Sequence, residues 1–177
     1  ATANGTVAHL LTIANATNGK DALTLDITDP SASAANLLAL DAKTSDKIDA
    51  TALSVNGFAA DLKQLVAAKG VQLAKNVDIT VSDLAVAASD LGAILKATTG
   101  VVTATVTPST ASALNSALKD ANSSDALILK VSGSTATAKD LISLDGKTYV
   151  KTGFTVGEIT GNIAESTNVF VTNAAGF

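Results

Sequence analysis

The sequence predicts an α/β fold, a right-handed solenoid of about 25-residue helix–strand repeats with a parallel sheet on one face. Three observations lead there. The stretches 21–47 and 125–151 echo one another, agreeing at 12 of 27 positions, among them Leu37, Leu40, Asp41, Lys43 and Thr44. Four strand-like segments begin at Val77, Val102, Leu127 and Thr152, at one constant spacing. Short apolar stripes at helical spacing lie ahead of the strands.

The elements follow in order. Leu10, Ile13 and Ala14 form the first helical stripe, so the chain is expected to open on a helix. Leu23, Leu25 and Ile27 alternate as a strand does, and Ile48, Ala50 and Ala52 repeat them at that same spacing. Leu37 and Leu40 mark a second helix, and Leu62, Leu65 and Val66 a third. The next step, from Ile48 to Val77, is longer by four, which places an insertion in a loop over 67–76. Beyond it run three strand columns: Val77, Val102, Leu127 and Thr152; Ile79, Ala104, Leu129 and Phe154; Val81, Val106, Val131 and Val156. Between them the helical stripes are Leu91, Ile94 and Leu95; Leu114, Ala117 and Leu118; and Leu141 with Leu144.

Local signals agree with these boundaries. Thr137 with Asp140 three residues on is a relative of the capping box, and Ser33 with Asn36 repeats it more weakly. Pro30 and Pro108 fall in strand-to-helix links, where no ladder donor is lost. Gly19, Gly70, Gly100 and Gly146 follow the stripes, where a left-handed residue ends a helix. A helix of two turns is marginal alone and a lone strand has no partner, so stacked units solve both problems. The whole chain, 1–177, then reads as a single repeat domain of six to seven coils, with 155–177 an atypical C-terminal unit. That last unit holds both glutamates, Glu158 and Glu165, and "NVFVTN" within it reads as a strand. The competing reading is a compact α/β domain with a parallel sheet.

Composition narrows the function classes. Apolar residues make up 47% and aromatic residues 3%, so the core is built from small aliphatics in regular layers. Net charge is −4 and there is no Arg, which excludes the basic face that nucleic acid requires. The same balance argues against an anionic membrane surface. No apolar run reaches the roughly 18 residues of a membrane-spanning helix. There is no Cys and no Met, and the chain reads as a processed mature form or an excised piece. The Ala/Thr/Ser/Val/Asp-rich make-up fits an extracellular or cell-surface bacterial protein.

The patterns "VNGFAADL…VDITVSD", "LLALDAKTS…IDATAL" and "TTGVVTATV" resemble Ala/Thr-rich tandem repeats of large secreted or surface-layer-like bacterial proteins, cyanobacterial ones especially, and of phage proteins. The resemblance covers most of the chain. It implies a structural or adhesive role and carries over no catalytic residues. The expected function is a non-enzymatic structural module: a surface-layer unit, spacer or filament subunit assembling through its solenoid ends. The alternative is an adhesin-type module recognising glycan or a cell surface. Expected partners are copies of itself or further repeats of the same parent protein.

The search for chemistry singles out no catalytic, cofactor-binding or metal-ligating set. Gly146–Lys147–Thr148 ends like a phosphate-binding loop, but the position that requires the loop's first Gly holds Leu141. His9 is the one histidine and has no visible triad around it. Calcium is the one cofactor left open, through the local groups Asp26 and Asp29; Asp41, Asp46 and Asp49; and Asp78 and Asp83. Those aspartates also suit helix starts and turns. Asn4, Asn15 and Asn122 head glycosylation sequons. The polar strand positions Asp78, Thr80, Thr103, Thr105, Ile128 and Lys130 describe a Thr-rich outer face, either solvated or a surface for carbohydrate or ice.

Overall fold

The structure, a computed structural model, describes residues 1–16 and 20–169. It is α/β, with seven helices among the described residues and parallel strand pairs throughout. Contacts group the chain into two compact units: residues 1–82 with 97–100, and 83–96 with 101–177.

In the first unit, β1 (Thr2–Gly5), β2 (Thr24–Ile27), β4 (Ile48–Ala50) and β6 (Val71–Leu73) form one four-stranded sheet in that order. β3 (Ser31–Ser33), β5 (Ser54–Gly57) and β7 (Ile79–Val81) pair in a second ladder. The helices are α1 (Val7–Asn15), α2 (Ala34–Asp41) and α3 (Ala59–Ala67). Each helix turns an i, i+3 stripe inward, as in Ala34, Leu37 and Leu40 of α2 and Ala59, Leu62 and Leu65 of α3. The strands alternate: Ile48 and Ala50 are buried while Asp49 between them is exposed.

The second unit holds α4 (Ala88–Ala97, except Ala97), β8 (Val102–Thr105), α5 (Ala111–Ala117), β9 (Ala126–Ile128), β10 (Lys130–Thr137), α6 (Ala138–Asp145), β11 (Gly153–Thr160) and α7 (Ile163–Thr167). Here β8 pairs with β9 and β10 with β11. The echo is carried into structure: α2 and α6 are its two copies, with N-caps Ser33 and Thr137 bonding Asn36 and Asp140.

Several expectations are corrected. The strands fall into more than one sheet, not one. The register steps are shorter than the sequence spacing, as at Thr2↔Thr24, Ile48↔Val71 and Val55↔Ile79. Ala104 therefore lies beside Leu127, not Leu129. A slip of two preserves the face each side chain points to, so sequence alternation is blind to it. A strand, β1, precedes the first helix. The region 67–76, read as a loop, contains β6. In "NVFVTN", Asn168 and Val169 continue the helical turn after α7, and the rest lies outside the described residues. Gly146 closes α6 with φ −69°, and neither Gly70 nor Gly100 has a positive φ, so left-handed glycines do not end these helices. Gly19 lies outside the described residues.

Candidate functional site

The Gly146–Lys147–Thr148 corner gathers four hydrogen-bond contacts on the single hydroxyl of Thr148. Gly146 ends α6 by sending its N–H back to the Ile142 carbonyl, and two residues later Thr148 points into the core. Its Oγ1 accepts the N–H of Leu127 and of Val150, both at 3.0 Å. The hydroxyl lies 3.0 Å from the carbonyl oxygens of Leu127 and Asp125, to which it donates. Thr44 repeats the arrangement: it donates to the Leu23 carbonyl at 2.7 Å and accepts from Leu23 and Asp46. Thr98 donates to the Val77 carbonyl at 2.6 Å and accepts from Gly100. All three are buried. At a fourth corner Asp125, also buried, accepts the N–H of Val102 and of Asn122. A threonine hydroxyl filled on every side has no lone pair to offer a phosphate, so this motif acts as a rivet between neighbouring turns of chain.

The other polar feature is the exposed face of the four-stranded sheet. Register places Asn4 beside Asp26, Asp26 beside Asp49, and Asp49 beside Gln72. All four are exposed, and neighbours in such a row stand about 4.8 Å apart. Asn4 Nδ2 donates to Asp26 at 2.5 Å. Asp49 accepts the hydroxyl and the N–H of Thr51, which hold its carboxyl below the ordinary carboxylate range. Two further aspartates of the calcium groups are tied to the fold: Asp29 takes the Val7 N–H at 2.6 Å and Asp46 the Thr24 hydroxyl. Among the described residues, no group of three His, Cys, Asp or Glu side chains converges on a metal position.

The remaining candidates are scattered. His9 is exposed on α1, beside Gly5. On the strand face, Asp78 and Thr80 are exposed in the first unit. In the second, Thr103, Ile128 and Lys130 are exposed and Thr105 is half-buried against Ile128. Of the sequons, Asn122 sits in a tight turn where its Oδ1 accepts the Ser124 N–H at 2.9 Å. One groove, about 270 Å³, is lined by small and hydroxyl-bearing residues such as Ala87, Ser89, Thr107 and Pro108, with no titratable group.

Sequence reasoning missed Thr98 and Asp125 as corner residues, and Asn4 and Gln72 as members of the exposed row. A signal for the corners was present, because Thr44 and Thr148 are identical members of the echo. No helix among the described residues is long and apolar enough to cross a membrane. Comparison with protein-family profiles, curated proteins and solved structures finds no match to this chain.

Proposed function

We propose that this chain is a non-enzymatic structural repeat module, a right-handed α/β solenoid at the cell exterior that serves as a surface-layer unit, spacer or filament subunit. The observation that carries this reading is the place of β1 at one edge of the four-stranded sheet. Among the described residues β1 pairs only with β2. An edge strand of this kind invites a further strand. The recurring register step, from Thr2 to Thr24, Ile48 to Val71 and Val55 to Ile79, supports a stacked arrangement in which one more layer adds as each existing one did. The saturated corner threonines, whose hydroxyls are taken up by backbone groups, support a scaffold. Head-to-tail addition is heterologous and grows open-ended oligomers. Sedimentation velocity across a wide concentration range tests it. A ladder of oligomers or rods is expected, and a strict monomer at every concentration sinks the filament form.

A second reading is an adhesin-type module. The row of Asn4, Asp26, Asp49 and Gln72 favours it, because four adjacent amide and carboxylate groups on a flat exposed face suit the hydroxyls of a glycan. A glycan array tests it: binding abolished by Asp26→Ala is expected, and a blank array removes the reading.

A further inference from the structure

The second unit carries an exposed face of a different chemistry from the row on the four-stranded sheet, and register defines it. Lys130 pairs with Gly153, and Ser132 with Thr155. Counting back two residues from the first of those pairs brings Ile128 level with Lys151, and on its other side Ile128 pairs with Thr105 of β8. Leu129 and Thr152 are buried, while Ile128, Lys130 and Lys151 are exposed, so these three share the outer face. A methyl built on Gly153 would lie 3.6 Å from the Lys130 Cγ, so the lysine stem lies over the glycine. Tyr149 stands at the head of the row, its N–H held at 3.0 Å by the Asp125 carbonyl just ahead of β9.

Two properties of this face point to a ligand. The first is its charge. Within residues 126–137 and 149–160 the charged residues are Lys130, Lys151 and Glu158, and Glu158 stands opposite Thr135, farther along the strands. The register neighbours of the two lysines are therefore hydroxyl-bearing or uncharged, in a chain whose net charge is −4. The second is Tyr149. The largest fully buried side chains are all leucine and isoleucine, whereas the one tyrosine is 68% exposed. An exposed tyrosine presents a flat apolar ring with a polar tip.

We propose that this face binds a polysaccharide of uronic acids. Lys130 and Lys151 take the sugar carboxylates, Thr105 and Thr155 bond ring hydroxyls, and Tyr149 with Ile128 receives the apolar side of a sugar ring. Two ammonium groups suit a chain that carries one carboxylate per ring, spaced by hydroxyls. The denser phosphates of nucleic acid require a larger basic surface. The site stands apart from both readings above, since it uses neither β1 nor the row of Asn4, Asp26, Asp49 and Gln72.

Isothermal titration calorimetry with polygalacturonate tests it, with dextran as the uncharged sugar polymer and polyglutamate as the polyanion without sugar. Polygalacturonate is expected to bind at least about tenfold more tightly than either control. Replacing both lysines, Lys130→Ala with Lys151→Ala, is expected to weaken that binding by about tenfold, and Tyr149→Ala by about fivefold. All three side chains are exposed, and circular dichroism checks that the variants stay folded. Asp26→Ala is expected to leave this binding unchanged. The proposal is overturned if polygalacturonate does not bind, if polyglutamate binds as tightly, or if the lysine and tyrosine variants bind as the wild type does. Binding lost in Asp26→Ala alone also overturns it and returns the glycan to the four-stranded sheet. Self-assembly through β1 stands or falls separately, by sedimentation.

Discussion

Thr148 and Thr152 stand four positions apart, are both buried, and are expected to act on stability in opposite directions. The Thr148 hydroxyl accepts two N–H groups and lies 3.0 Å from two carbonyl oxygens, and all but the Val150 bond are buried. Thr152 Oγ1 is buried without a hydrogen-bond partner. Valine matches threonine in shape, so replacing each isolates the hydroxyl. Thr148→Val strands the Leu127 and Val150 donors and is expected to cost about 2–4 kcal/mol, whereas Thr148→Ser, which keeps the hydroxyl, costs about 1 kcal/mol. Thr152→Val removes an unpaired polar atom from an apolar site and is expected to add about 1 kcal/mol. Urea unfolding of the three variants checks the signs; a stabilising Thr148→Val removes the rivet role argued for the corners. The same logic explains why "GKT" misleads when read alone. Its threonine is chemical in type, but burial has already assigned every bond it makes.

At the scale of the element, α6 shows both a satisfied and an unsatisfied end. Thr137 caps its start by accepting the Asp140 N–H at 3.0 Å and donating to the Asp140 carboxylate at 2.8 Å. Its last residue, Asp145, is partly buried, and that burial raises its carboxyl above the ordinary value of 3.8. A carboxylate at a helix C-terminus also faces the negative end of the dipole. A raised folded-state value means that the ionised form penalises folding at neutral pH. The penalty fades as pH falls through that value and is gone below 3.8. Asp145→Asn is therefore expected to raise the melting temperature at pH 7 and to leave it unchanged near about pH 3. Equal effects at both pH values contradict the ionisation argument. The helices were legible in the sequence because stripes such as Leu37–Leu40 and Leu141–Leu144 carry their own period. β1, β3, β5 and β6 were not, since three or four residues, mostly small or polar, show too little alternation to read. β7 and β8 were, because Ile79, Val81, Val102 and Ala104 alternate with exposed threonines. The sequence spacing carries Ala104 to Leu129, whereas the pairing carries it to Leu127, the one slip that apolar alternation conceals. Thr44 and Thr148 are legible as corner residues from the echo, but their burial is not, because pattern reading assigns polar residues to the surface.

At the scale of the whole molecule, charge has little to do with how this chain would join another copy. It carries 12 Lys, 16 acidic residues and no Arg, and Asp29, Asp49 and Asp125 each accept hydrogen bonds from their own fold. β1, the edge strand proposed to take a further layer, reads Thr2, Ala3, Asn4 and Gly5, none of them charged. Backbone pairing and apolar burial respond weakly to ionic strength, whereas exposed ion pairs lose most of their attraction once the Debye length shrinks to a few ångströms. The net charge of −4 adds only a weak repulsion between copies, which salt would screen. Raising sodium chloride from about 0.05 M to about 0.5 M is therefore expected to change the self-association constant by no more than about threefold, and toward tighter binding. Association that weakens by about tenfold over the same range is the signature of surface ion pairs. It would move the contact away from β1 to the lysines and aspartates of the exposed faces.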